Sequence, residues 1–339
     1  MITEKNRISV GEVSTLEDLI QLRDEWRDLL LRSPSATPFQ SPEWLITWWK
    51  YFGKGRLQVI SLRSEGRLAG LAPLFIFSPP EGEQRDIRFI GTGITDYLDF
   101  VLEPGLGLTG TSLILDHLGA KGSEWDICDF HELRPESTLL EISFPDELHT
   151  CRLIQDFCPV LLLPANAEEY YRSLSGTFHT RLIRAKKSLT GSGAELVEAD
   201  AATLPYFLEE LFRLHGAAWE YRDQTGVLSD STIRSFHSEV ASLFMESGCL
   251  RLFGLRQKDK LLAVIYALAS GSKLFFYIGG HDPAFARLSP GTVLMALVIE
   301  LAISEGFREI DFLRGNEKYK FNWGAKSRQN YRLLAWHPG

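Results

Sequence analysis

The chain has 339 residues, 45% of them hydrophobic and 24% charged, with a formal net charge of -8 and a pI near 5.6. That length suits about two domains with ordinary hydrophobic cores, and the composition excludes a mainly disordered chain. The acidic balance argues against a wide duplex-DNA footprint. Cys128, Cys151, Cys158 and Cys249 form no CxxC pair and are too sparse for a disulfide scaffold, so a reducing, cytoplasmic setting is expected. MITEKNRISV at the start carries no apolar signal core, and no apolar run is long enough to span a bilayer. Neither export nor a transmembrane segment is expected.

In chain order, Leu16 to Leu31 shows apolar residues at helical spacing and is stopped by Pro34 and Pro38. Ser41-Pro42 is a cap followed by a first-turn proline, opening an aromatic helix that Gly53 ends. Strands are expected over Leu57 to Arg63 and Leu68 to Phe77, joined by a hairpin at Ser64-Glu65-Gly66-Arg67. Further strands follow at Ile87 to Ile90 and Tyr97 to Leu102, then a helix over Thr109 to Leu118 and a strand from Trp125 to Phe130. From Leu161 the pattern restarts. A basic helical segment (Phe178 to Leu189) precedes a strand (Ala194 to Glu198), two helices (Leu204 to Trp219, Ser231 to Ser247) and three strands (Leu250 to Arg256, Leu261 to Ala269, Lys273 to Gly279). A last strand runs from Tyr331 to Trp336.

The stretch Leu288 to Gly324 organises the rest. Ser289 reads as an N-cap, Pro290 as the first helical residue, and Gly306 as the left-handed stop. The helix between them is apolar all round except for Glu300, so it should be buried on most faces. Gly291 bares first-turn N–H groups, which makes Ser289, Pro290, Gly291 and Thr292 a candidate anion cradle. After Gly306 a short strand is expected to carry Asp311 outward at its tip.

The two halves match. LQVISLRSEGRLAGL from Leu57 aligns without a gap on LRLFGLRQKDKLLAV from Leu250, and Gly110-Thr111 precedes Asp129-Phe130 much as Gly291-Thr292 precedes Asp311-Phe312. An internal duplication accounts for both, with domains expected at 1–160 and 161–339. Gly105-x-Gly107-x-x-Gly110 outlines a dinucleotide fingerprint, but several strands precede it and no βαβ series continues from it. No P-loop, HExxH, GxSxG or zinc-type spacing is present, and no metal site is expected.

The order of helices and strands, with a phosphate-suited helix after the third strand of a meander, resembles the GNAT acyltransferase fold. His215 with Trp219 in LHGAAWEYR, GGHDP at 279 to 283, SPG at 289 to 291 and DFLRGNEKYKFNWG at 311 to 324 further resemble the CelD-like acetyltransferases of bacterial polysaccharide loci. The resemblance covers about Glu168 to Ala335 well and the first half loosely. It implies an α/β (α+β) fold of two tandem GNAT-like domains, each a mixed, largely antiparallel sheet flanked by helices, the second catalytic and the first degenerate. It also implies acetyl-CoA or another acyl-CoA as co-substrate, with the SPGT turn in the place of the pyrophosphate loop, although the usual (Q/R)xxGx(G/A) pattern is missing. The architecture is similar as well to the Fem aminoacyltransferases, which use aminoacyl-tRNA, and whose (F/Y)K-x-x-(F/W)G motif matches Tyr319, Lys320, Trp323 and Gly324.

Acyl transfer needs a proton acceptor and donors aimed at the oxyanion. Asp311 is the candidate acceptor, and Arg314 and Lys320 the candidate positive charges; a structural ion-pair group around a sharp turn would use the same three. His215, Trp219, His281, Tyr319 and Trp323 are the candidate substrate contacts. Arg181, Arg184, Lys186 and Lys187 could meet a phosphate of donor or acceptor. The expected activity is an acyl-CoA-dependent N- or O-acyltransfer to a small-molecule or glycan precursor of the envelope or a polysaccharide. An aminoacyl-tRNA-dependent transferase and a non-catalytic assembly protein of an exopolysaccharide system are the alternatives.

Overall fold

The computed structural model describes residues 8–79, 84–145, 148–221 and 225–337. The chain divides into two compact units: the first runs to Asp156 and takes up the chain again from Gln329, and the second is Phe157–Arg328. The first unit holds a four-stranded antiparallel sheet as well as strands of a mixed sheet, and the second a mixed, mainly antiparallel sheet; helices flank them.

In the first unit the elements are β1 (Ile8–Val13), α1 (Leu16–Gln21), α2 (Arg23–Arg32), α3 (Pro42–Phe52), β2 (Arg56–Leu57), β3 (Val59–Ser64), β4 (Arg67–Ala72), β5 (Leu74–Phe77), β6 (Asp86–Phe89), β7 (Val101–Leu102), α4 (Gly107–Gly119), β8 (Ile127–Leu133) and the start of β9 (His149–Leu162). The second continues with α5 (Ala167–Ser173), α6 (Gly176–Gly191), β10 (Ala194–Glu198), α7 (Leu204–Glu220), α8 (Ser231–Glu246), β11 (Leu250–Gln257), β12 (Lys260–Ser270), β13 (Lys273–His281), α9 (Pro290–Ser304), β14 (Glu309–Asp311), α10 (Lys318–Asn322) and most of the approach to β15 (Lys326–Trp336).

The expected first helix is two, broken at Leu22. Ser41 caps α3 by accepting from Trp44 N at 3.3 Å, as its Ser-Pro signature requires. β1 and β9 carry no clear period-two signal and were missed by pattern. The expected strand over Tyr97 to Leu102 is real only at Val101–Leu102.

α9 anchors the second unit. Val293, Leu294, Ala296, Val298 and Ile299 are at most 1% exposed and join Phe253, Leu255, Ala263, Ile265 and Leu274 in one core. Its lone charge, Glu300, accepts from the Tyr171 hydroxyl and from Lys186, so one member of the basic run on α6 serves the fold. Ser289 does not cap this helix with its side chain: it sits in the left-handed region at φ 54°, where the turn before α9 forces it.

The two units share their strand registers. In the β3–β4 hairpin Leu62 faces Gly70 and Arg63 faces Leu68, leaving Ala69 as an extra residue. In β11–β12 Leu255 faces Ala263 and Arg256 faces Leu261, leaving Leu262. These are the positions that the sequence alignment pairs, bulge included, and each turn begins with a left-handed residue, Glu65 at φ 51° and Lys258 at φ 54°. β6 and β8 run parallel with Arg88 beside Asp129; β13 and β14 run parallel with Phe275 beside Asp311.

The copies differ in two respects. The second unit's long β12 corresponds to β4 and β5 together, which Pro73 interrupts because it has no N–H to donate. β13 corresponds to β6 and β7, with residues 90–100 inserted between them. That insert is core: Ile90, Thr95, Tyr97 and Leu98 are at most 1% exposed, Leu98 N donates to Glu132 O at 3.2 Å, and Phe100 packs edge-on against Phe89 and Phe130.

The last strand also departs from expectation. Leu333, Leu334 and Ala335 pair with Phe130, Asp129 and Cys128, so the chain from Gln329 on belongs with the first unit rather than with residues 161–328. Backbone pairing with β8, not sequence proximity, decides this. Arg332 from this strand forks onto Asp129 at 2.7 and 2.9 Å, and His131 approaches the same carboxylate at 3.0 Å.

Burial raises the Asp129 pKa, but the hydrogen bonds from His131 and Arg332 override it and hold the group at about 2. A carboxylate depressed in the folded state contributes stability above its unfolded pKa and loses it as pH falls through the folded one. The difference in urea midpoint between wild type and Asp129→Asn should therefore be constant above pH 5 and shrink steadily between about pH 4 and pH 2. A difference independent of pH would show that the pair contributes nothing through charge.

Candidate active site

The second unit's sheet forks. β13 and β14 pair only at Lys273–Glu309, Leu274–Ile310 and Phe275–Asp311. Beyond Asp311 the chain leaves β13 and stays with the strand on its other side, Phe312 N donating to Pro159 O at 2.9 Å and Gly315 N to Phe157 O at 3.0 Å. On β13 the register to β12 shifts between Tyr266–Ile278 and Ala267–Phe276, so Tyr277 is an added residue at the mouth of the fork. Such a bulge bends the strand and turns a side chain out of the pleat. The edge of β13 past Phe275 faces the fork with its backbone groups not laddered to β14.

The N-terminus of α9 stands beside that edge. A Cβ at Gly291 would lie 3.7 Å from the His281 Cβ and Nδ1, so the imidazole borders the first turn. Asp282 caps the turn that precedes the helix, accepting from Ala284 N at 3.0 Å and pairing with Lys260 at 2.6 Å, which explains the Asp-Pro of the GGHDP run. Ser289, Pro290, Gly291 and Thr292 are thus together at one helix end, with His281.

The second glycine of GGHDP also has a packing reason. A Cβ on Gly280 would sit 2.5 Å from His215 N and 2.7 Å from Leu214 C, backbone atoms that cannot yield, so α7 lies directly on β13 only because the position is glycine. On α7, Trp219 Nε1 donates to His215 Nε2 at 2.9 Å, which makes His215 an acceptor at Nε2 and puts any ring proton of the neutral form on Nδ1. His215 is 5% exposed and Trp219 half-buried.

The far side of the fork is the 311–324 motif. Asp311 does not point outward: it is fully buried, accepts from Leu313 N at 2.9 Å and pairs with Arg328. Its strand position turns it inward, and the arginine compensates the buried charge. Arg328, supplied by β15, was missed by sequence reasoning because nothing local marks it. Lys320 is 3% exposed, and its ammonium donates to three carbonyls, Leu313 at 3.3 Å, Arg314 at 2.7 Å and Gly315 at 3.2 Å, with Glu317 at 3.0 Å. Those carbonyls belong to a turn in which Leu313 has φ 55° and Gly315 φ 115°, so Lys320 holds a strained loop closed.

Asp311, Arg314 and Lys320 are brought together, with the Arg314 contribution coming through its carbonyl. Trp323 is core, not surface: it is 2% exposed, stacks edge-on to Phe178 at 4.9 Å, and accepts from the Tyr170 hydroxyl through its carbonyl at 3.1 Å. Tyr319 is 50% exposed. Among the described residues no group of three His, Cys, Asp or Glu side chains is placed to hold a metal, and no helix is long and apolar enough to cross a membrane.

A family model described as an acetyltransferase (GNAT) domain matches residues 177–321, the stretch that holds the fork, α9 and the turn. The fold is of GNAT type. No curated protein matches by sequence. Among solved structures the chain is similar to FemX (TM-score 0.68, 12% identity, 97% of both chains covered) and to a conserved protein of unknown function from Bacteroides thetaiotaomicron (TM-score 0.60, 14% identity, 97% of this chain and 99% of that one). It is also similar to the C-terminal domain of a proposed lysylphosphatidylglycerol synthetase from Agrobacterium fabrum (TM-score 0.57, 12% identity, 95% and 92% covered). At these identities the likeness is one of fold.

Proposed function

We propose that the protein is an acyl-CoA-dependent N- or O-acyltransferase, related to the CelD-like acetyltransferases, whose acceptor is a precursor of the cell envelope or of a polysaccharide. The observation that carries this reading is the fork with its bulge at Tyr277. A pantetheine arm is extended and carries two amides, and the unladdered edge of β13 offers it the main-chain partners that an added strand would use. The thioester then lies at the fork, and the pyrophosphate reaches the first turn of α9, at Ser289 to Thr292 with His281 alongside. The exposed Tyr319 and the half-buried Trp219, with His215 behind it, are the side chains this reading places at the acceptor.

In the same reading the first unit is a degenerate copy, because the insert 90–100 occupies the place that the fork leaves open in the second. The turn built by Asp311, Arg314 and Lys320 gives the fork its far wall. A CoA thioester is a cytoplasmic metabolite, which places the reaction there. The envelope acceptor is supported by the fold-level similarity to FemX and to the lysylphosphatidylglycerol synthetase domain. A second reading, with aminoacyl-tRNA as donor, is favoured by the full-length similarity to FemX, by the Tyr319-Lys320-x-x-Trp323-Gly324 motif and by the exposed Arg181, Arg184 and Lys187 on α6.

Acetyl-CoA, longer acyl-CoAs and bulk tRNA should be compared by thermal shift and calorimetry, since a ligand that binds only the folded state raises stability by mass action. An acyl-CoA is expected to raise Tm and to titrate to one site per chain. A rise with tRNA alone transfers the assignment to the second reading; two CoA sites per chain overturn the degenerate first unit, and no shift from any donor overturns both.

A further inference from the structure

Behind the fork the second unit buries a row of polar aromatic side chains that the acyl-transfer reading leaves unused. Ile265 and Ala267 pack into the core that holds α9, so Tyr266 between them faces the opposite side of the sheet, toward α8. There His237 is 2% exposed, with the Tyr277 ring 5.3 Å away, the Tyr266 ring 6.0 Å away and Phe236 5.0 Å away. Tyr266 and Tyr277 are themselves 6.0 Å apart, ring to ring.

The row is graded in exposure. His237 and Tyr266 are buried, whereas Tyr277 is half-buried and stands on the bulge at the mouth of the fork. Burial, with the nearness of the His215 imidazole adding to it, drives the His237 pKa down to about 3, so the His237 imidazole is neutral at any physiological pH. The Tyr266 hydroxyl is buried with no hydrogen-bond partner among the described residues, which costs stability. An inserted residue at the edge of a break in the sheet, its ring backed by a packed imidazole, is held in one place by the fold.

We propose that Tyr277 is the side chain that meets the acceptor's nucleophile beside the donor thioester, and that His237 is the positioning residue that holds the Tyr277 ring there. The proposal rests on the acyl-transfer reading and names residues for it. During transfer the acceptor's N or O bonds to the carbonyl carbon as the carbon–sulfur bond breaks, and the acceptor's proton leaves with the sulfur as free thiol. Tyr277 is unchanged by turnover and acts by accepting a hydrogen bond from the nucleophile, which orients it.

The test is thiol release from acetyl-CoA with hydroxylamine as a small nucleophile, run on the full chain with acetyl-CoA thermal shift in parallel. Tyr277→Phe should lower kcat on the order of 10²-fold and His237→Phe about 10-fold, as loss of near-attack alignment does, with the acetyl-CoA shift unchanged. The double variant should be no slower than Tyr277→Phe alone, because His237 acts through Tyr277. Wild-type kcat in Tyr277→Phe overturns the proposal, and so does a double variant in which the two losses multiply. A His237→Phe chain that loses only Tm, with normal kcat in the folded fraction, overturns the role of His237; if that chain does not fold, His237→Gln takes its place in the cycle. A wild-type chain that neither binds acetyl-CoA nor releases thiol sinks the acyl-transfer reading and this proposal together, whereas normal binding and release in Tyr277→Phe sinks the proposal alone.

Discussion

Arg328→Ala is expected to destabilise the protein by about 3–5 kcal/mol, the usual cost of leaving a buried charge without its partner. The reason is the asymmetry of the pair. Asp311 is fully buried and Arg328 is 21% exposed, so losing the arginine removes the ion pair of a carboxylate that water cannot reach. The Leu313 amide would still donate to it, but a neutral amide does not replace the guanidinium charge. Asp311→Asn combined with Arg328→Ala strands no charge and should recover most of the loss. Urea midpoints of the two variants decide the matter: a single variant within about 1 kcal/mol of wild type would place Asp311 in a wetter site than its burial implies. Arg332→Ala should cost less, since Asp129 keeps the His131 contact and Arg332 is more open to solvent.

Lys320→Met should lower stability by about 1–3 kcal/mol, the range for buried acceptors left without a donor, and should slow transfer only by loosening the turn. The ammonium already serves the carbonyls of residues 313, 314 and 315, and Glu317 takes a further contact, so little of its donor capacity remains for an oxyanion. The alternative role predicts the opposite pattern, a fall of on the order of 10²-fold in kcat with unchanged stability. Denaturant melts together with kcat per folded molecule separate the two. Unchanged midpoint and a 10²-fold slower rate would return Lys320 to the chemistry. Lys320→Arg is a further check, since a planar fork does not fit three carbonyls gathered around a compact ammonium.

The candidate site was legible in the sequence wherever local chemistry makes a residue do one thing. Pro290 after Ser289, the apolar surround of α9 and Gly306 at its end specify a buried helix in any context. What could not be read were the roles that depend on a distant strand. Asp311 looks outward by alternation, yet β9 on one side and β13 on the other enclose it, and only then does Arg328 become its partner. Trp323 looks like a ligand contact in a motif, yet Phe178 from α6 covers it. Tyr277 carries no signal at all, because a bulge is a property of two strands in register and not of either alone.

By itself the sequence determined the likeness of the two hairpins. The hairpin match from Leu57 and Leu250 returns as the same register, the same extra residue and the same left-handed turn start, because short-range pairing obeys turn chemistry and side-chain alternation that are written locally. Tertiary structure alone decided where the two halves part. The insert 90–100 reads as a strand and loop of ordinary composition, and only packing against Phe89, Phe130 and Glu132 shows that it belongs to the core of the first unit. Tertiary structure likewise assigned the last strand: β15 takes its place by pairing with β8, and a backbone ladder that joins residues so far apart along the chain leaves no trace in the local pattern of either strand.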